Sequence, residues 1–263
     1  MNELKSRRGR KQEHEDVIGK KFKTSMGEFI VLKREYFKAE VGFKSMYLIE
    51  FEEFHGVRYR KWVNYVNIKT LNIRNPFYPS VFGMGYVGRN NVGMSNTIFP
   101  IWRALIERTS PMTSKTSYIN TTICEDWLCF DKFEQWYIKN YPNHIVGIKL
   151  SLDKDLLQQG IENKIYSPET CVFLPHSINT FLAINKPKNT SGYVGVSWYK
   201  NRNKWVSQIH IFNEKTYKNL GYFKDIEEAS LVYQKARAEQ AEKAKQYLRN
   251  LNYLPEEIIQ LVK

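Results

Sequence analysis

Residues 152–181 read LDKDLLQQGIENKIYSPETCVFLPHSINTF. The run from Ile148 to Asp155 alternates like a strand and passes into a polar loop that ends at Tyr166-Ser167-Pro168. Cys171 to Leu174 reads as a second strand, which Pro175 terminates. His176 to Ile184 then has helical spacing, with Ile178, Phe181 and Leu182 on one face. The order is strand, loop, strand, helix. Polar residues sit at two ends: Asp153, Lys154 and Asp155 close the first strand, and His176 and Asn179 open the helix. A hairpin folded onto that helix brings the two ends together, so these five residues are the candidate site.

The stretch resembles the ββα-metal (HNH, His-Me finger) nuclease motif of phage-borne and mobile endonucleases, through LDKD, YSPETC and the following P…IN. In that family the first strand ends in Asp-His. The His activates water, and the Asp, with a His or Asn of the helix, holds one divalent metal. The resemblance puts Asp153 and Asn179 at the metal positions, Lys154 at the general-base position and Thr170 near a middle Asn. It implies DNA phosphodiester hydrolysis with one Mg²⁺ or similar ion. Lys and Thr depart from the family residues. The catalytic candidates are therefore Lys154, Asp155 and His176, the last as a substitute base. A non-catalytic DNA-binding protein with a decayed centre is the alternative.

Composition points the same way. The 263 residues carry a formal net charge of +13, with 42% hydrophobic and 14% aromatic residues. That balance supports packed cores and an anionic partner, nucleic acid before membrane. No apolar run approaches the ~20 residues of a spanning helix, and the polar N-terminus lacks the apolar core of a secretory signal. Cys124, Cys129 and Cys171 form no CxxC pair, which argues against both a zinc site and a disulfide scaffold and for an intracellular compartment.

Upstream, residues 1–16 read as a basic disordered arm. Residues 17–75 read as a small β-barrel or curled sheet, with strands near Phe22, Phe29–Leu32, Ala39–Phe43, Tyr47–Phe51 and Trp62–Val66. Gly83, Gly85 and Gly88 satisfy GxGxxG but run into a loop, so a dinucleotide site is rejected. Helices are expected over 99–108 and 130–140, and residues 76–184 form the nuclease-like domain.

Residues 185–191, NKPKNTS, read as a linker. From Gly192 three strands follow, Tyr193–Tyr199, Lys204–Phe212 and Lys215–Phe223, then a helix capped by Asp225. This unit, 192–250, resembles the AP2 DNA-binding domain through Gly195-Val196, Lys204-Trp205, Ile209, Leu220–Phe223 and Glu228–Tyr233. The resemblance implies a sheet laid in the major groove of duplex DNA with the helix behind it. Strand alternation directs Trp205, Ser207 and Ile209 toward the helix. Val206, Gln208 and His210 face outward with Ser197, Tyr199, Tyr217 and Asn219. Lys200, Arg202 and Lys204 lie by the first turn, where phosphates would pass. Residues 251–263 read as a tail. The expected fold class is α+β.

Overall fold

The computed structural model describes residues 16–40, 42–88, 95–112, 118, 120–183, 190–214 and 216–263. The expected arm, except Asp16, most of the expected linker, and Arg89–Asn91 lie outside the described residues. The chain is α+β and divides into two compact units, residues 1–113 with 128–134, and residues 114–127 with 135–263.

The first unit is built on an antiparallel meander of β1 (Lys21–Thr24), β2 (Gly27–Lys38), β3 (Phe43–Phe54) and β4 (Val57–Val63), in that order. It is an open sheet with β1 and β4 at its edges, so of the two expected forms, small barrel or sheet, the sheet is the one present. Of the expected strand at Ala39–Phe43, only Phe43 belongs to a strand, as the first residue of β3; Val41 lies outside the described residues, and the Ala39 N–H donates to the Gly42 carbonyl at 3.0 Å. His55 and Gly56, both at positive φ, make the tight turn from β3 to β4. Phe29, Val31, Tyr47, Ile49 and Phe51 alternate onto one face and form the core with Val63 and Ile68.

Strand β4 stops at Val63 instead of reaching Val66. Asn64 caps α1 (Tyr65–Thr70), its Oδ1 accepting from the Asn67 N–H at 2.8 Å. Helix α2 (Ile98–Thr109) buries Ile98, Trp102, Leu105 and Ile106, the expected stripe. Gly85 lies against Trp102 and Ile106, where an added Cβ would stand 3.1 Å from both side chains, which gives this glycine of the pattern a packing reason.

Helix α3 (Phe130–Asn140) begins in the first unit and ends in the second. In the second unit β5 (Thr121–Ile123) pairs in parallel with β7 (Lys164–Tyr166). The hairpin of the opening stretch is present: β6 (Leu150–Asp153) pairs antiparallel with β8 (Val172–Pro175), and α4 (His176–Leu182) follows directly. Tyr137, Tyr141 and Trp136 pack on Phe173 of β8.

A second sheet, ordered β11-β10-β9, comprises β9 (Val196–Tyr199), β10 (Lys204–His210) and β11 (Tyr217–Phe223). Asp225 caps α5 (Ile226–Leu251), its Oδ1 accepting from the Glu227 and Glu228 N–H groups at 2.7 and 2.9 Å. At ~1.5 Å per residue this helix is roughly 39 Å long, enough to serve two platforms. Its first half lays Ala229, Tyr233 and Ala236 on the sheet with Ile209. Its second half lays Ala241, Ala244 and Leu248 on Leu156, Val172, Leu174 and Ile178.

The expected boundary at 185–191 therefore does not separate two cores. Helix α5 and the β6–β8–α4 unit share one. The expected tail also differs: α6 (Glu256–Ile259) forms there, and Ile259 and Val262 are buried in the same core. The Tyr253 hydroxyl donates to the Phe173 carbonyl at 2.7 Å, tying the end of the chain to β8.

Candidate nuclease-like centre and nucleic-acid interface

The hairpin register pairs Asp153 with Val172 and Leu150 with Pro175. Helix α4 starts at the Leu150 end and returns toward the Asp153 end. Asp153 and Asn179 thereby line one cleft of about 740 Å³, together with Asp155, Leu156, Lys164 and Leu182. Asp153 and Asn179, the residues expected at the metal positions, therefore line the same cleft.

Asp153 is buried. Its Oδ1 accepts from the Asp155 and Leu156 N–H groups at 2.9 and 2.8 Å, closing the turn after β6. Burial raises its carboxyl above the ordinary value even though those two donors pull it down. Its other oxygen and the Asn179 side chain make no hydrogen bond among the described residues. Two oxygen donors facing one cleft fit a hard cation that keeps several of its waters.

The catalytic candidates are placed differently. Lys154 is only 7% exposed and does not line the cleft. Its ammonium lies 5.7 and 5.5 Å from the ring centres of Tyr118 and Tyr166 and 2.9 Å from Asp155 Oδ1. An ammonium has no lone pair with which to accept a proton. Asp155 also receives Lys164 at 2.5 Å. Burial pushes its carboxyl up, but the hydrogen bonds from Lys164 and Lys154 outweigh this and hold it below the ordinary value. Asp155 is therefore an ion-pair hub.

His176 is exposed at the opposite end of the hairpin, its N–H donating to the Lys149 carbonyl at 3.0 Å. With a rise of about 3.4 Å per residue, the two ends of β6 lie roughly 10 Å apart. The structure thus keeps His176 out of the cleft, contrary to its expected place as a substitute base. Thr170 closes the SPET turn instead of facing the site: its hydroxyl donates to the Ile165 carbonyl at 2.7 Å and accepts from the Ser167 N–H at 3.0 Å. Gln158, which the sequence reading passed over, is buried and joins the loop strands. Its Nε2 donates to the Lys154 and Ile165 carbonyls at 2.7 and 2.9 Å.

The outer face of the C-terminal sheet carries the expected interface residues. Ser197, Tyr199, Gln208, Tyr217 and Asn219 are exposed, and His210 is half-buried against the Tyr217 ring at 5.0 Å. Val206 shares that face by alternation but is buried. Lys200 and Arg202 sit on the short 3-10 turn after β9, and Lys204 pairs across from Tyr199.

The register of β10 against β11 shifts between Ser207 and Gln208, which leaves Leu220 as the extra residue of a bulge on β11. Gly221 adopts φ 146 there, and its N–H donates to Asn219 Oδ1 at 3.0 Å. Asn219 is thus partly spent on the backbone. The bulge also turns Tyr222 outward. Its ring lies 5.4 Å from Tyr199, and the Arg202 guanidinium stands 4.2 Å above it. Tyr222 was not among the expected interface residues; the isolated Gly221 inside a strand was the available signal.

No family model, curated protein or solved structure matches the chain. Among the described residues no helix is long and apolar enough to cross a membrane.

Proposed function

We propose that this protein binds duplex DNA through the outer face of the β9–β11 sheet and is built as an HNH-type endonuclease around the β6–β8–α4 unit. The observation that carries the reading is the exposed sheet face, where Arg202, Lys200 and Lys204 flank a row of hydrogen-bonding side chains. A small sheet fits the major groove, with cations meeting phosphates and Gln208 and His210 meeting base edges.

Asp153 and Asn179 would hold the divalent ion, which when bound supplies Lewis-acid stabilisation of charge at a phosphodiester. Lys164 at the rim of the cleft offers a fixed positive charge to the phosphate. A second reading, DNA binding without hydrolysis, is favoured by the placement of Lys154. The residue at the base position is turned under two tyrosine rings, and no histidine among the described residues lines the cleft.

Relaxation of supercoiled plasmid by purified full-length protein, with and without Mg²⁺ or Mn²⁺, separates the two. The endonuclease reading expects metal-dependent nicking that Asn179→Ala abolishes while duplex binding is retained. Because residue 154 is turned away from the cleft, Lys154→His should raise the rate, by up to ~10²–10⁴-fold, only where the imidazole swings out from the tyrosine rings into the cleft. No nicking by either the wild type or Lys154→His leaves DNA binding alone as the function.

A further inference from the structure

The N-terminal sheet has a second aromatic and basic surface that the duplex interface does not use. On β2, Arg34, Tyr36 and Lys38 alternate onto the same face as Tyr47, Ser45 and Phe43 of β3, their register partners. This is the core face of the sheet continued past the core. Toward Tyr47 it is covered, but at its far end Tyr36 is 63% and Phe43 74% exposed.

The Arg34 guanidinium is held between two rings, 4.9 Å from Tyr36 and 5.5 Å from Tyr47. Its Nε donates to the Ser45 hydroxyl at 2.7 Å, which fixes the side chain. The series continues through Tyr65, 6.0 Å from Tyr47, to the Lys69 ammonium 6.0 Å from the Tyr65 ring. Rings and cations are therefore interspersed along one strip, Tyr36, Arg34, Tyr47, Tyr65 and Lys69 in turn. Two of the rings are open at its end, and Lys38 stands beside them.

We infer that this strip is a binding site for unpaired nucleotides, with Tyr36 and Phe43 stacking bases and Arg34 and Lys38 meeting phosphates. Every base has a flat face, so exposed rings interleaved with cations bind single strands without needing a sequence. Inside a duplex those faces are already stacked on neighbouring bases, so the strip selects strands that are open. The choice of DNA over RNA rests on the duplex-DNA reading of the other unit.

The experiment is a fluorescence-anisotropy titration of the full chain with a labelled oligothymidylate and, separately, a labelled duplex. Tyr36→Ala/Phe43→Ala removes two exposed rings, so the fold should survive, as an unchanged thermal transition would confirm. Oligothymidylate affinity should fall at least about tenfold, the loss of one to two stacked bases, while duplex affinity stays within about twofold. Arg202→Ala/Lys204→Ala should do the reverse, which keeps failure of this site distinguishable from failure of the duplex interface. Unchanged oligothymidylate binding by a folded Tyr36→Ala/Phe43→Ala variant, or no oligothymidylate binding by the wild type at low salt, overturns the inference.

Discussion

Replacing Gly195 with alanine is expected to cost about 2–5 kcal/mol and to abolish duplex binding. Gly195 has φ 71, where a side chain costs roughly 1–2 kcal/mol. The space is also taken. An added Cβ would run into the Tyr233 ring and stand 2.7 Å from the Gln208 carbonyl oxygen. Neither can yield easily, because Tyr233 is buried between α5 and the sheet and Gln208 lies in the middle of β10. Overpacking of this kind typically adds ~1–3 kcal/mol. The Gly195 carbonyl also accepts from the Gln208 N–H at 2.8 Å, so a shift of one strand unseats the other. Urea unfolding followed by far-UV circular dichroism measures the loss. A change under about 1 kcal/mol would mean that the helix does not press on the sheet as described.

Asp153→Ala is expected to fail twice, in stability and in any metal-dependent cleavage. It strips the acceptor from two N–H groups in a buried turn, at about 1–3 kcal/mol each. Asp153→Asn is the cleaner variant. Its amide oxygen can still accept from both donors, so the turn should hold, while the charge that would attract a cation is gone. Loss of nicking by Asp153→Asn with an unchanged unfolding midpoint assigns the residue to the site. Equal nicking by wild type and Asp153→Asn removes it.

The titration of the wild type gives a second handle on Asp153. Its folded carboxyl is raised by burial above the unfolded value. Between those two values the native state therefore binds more protons than the unfolded one, and stability falls as pH rises through that window. Asp153→Asn should remove this component. Asp155, held below its ordinary value, works in the opposite sense: its contribution is present above the unfolded value and is lost as pH falls through the folded one.

The elements that were legible in the sequence are those governed by local chemistry. Asp225 starts α5 because its carboxylate satisfies two end N–H groups, and Pro175 ends β8 where α4 begins. Alternation on β10 was legible because Ile209 and Gln208 differ so sharply in polarity. What failed depended on partners distant in the chain. The second half of α5 buries mainly small residues, Ala241 and Ala244, along with Gln240. A stripe of alanines carries little hydrophobic signal, so the shared core and the burial of Ile259 and Val262 in it were not visible.

The site was half legible for the same reason. Asp153 and Asn179 line one cleft because hairpin and helix are consecutive. The direction of Lys154, in contrast, is set by Tyr118 and Tyr166. The first of these lies 36 residues upstream, and no spacing rule connects them. Tyr222 was missed because a one-residue bulge reverses which face a strand residue takes.

The central claim, that the β9–β11 sheet face holds duplex DNA, is tested most directly by duplex affinity of the full chain as a function of salt. The full chain is needed because the sheet and the ββα unit rest on one helix. The logarithm of the binding constant should fall linearly with the logarithm of salt concentration, as contacts to phosphates release counterions. Arg202→Ala/Lys204→Ala should weaken binding to every duplex and reduce that slope by about two, roughly one per lost phosphate contact. No binding of the wild type at low salt, or a double variant with the wild-type affinity and slope, would contradict the account.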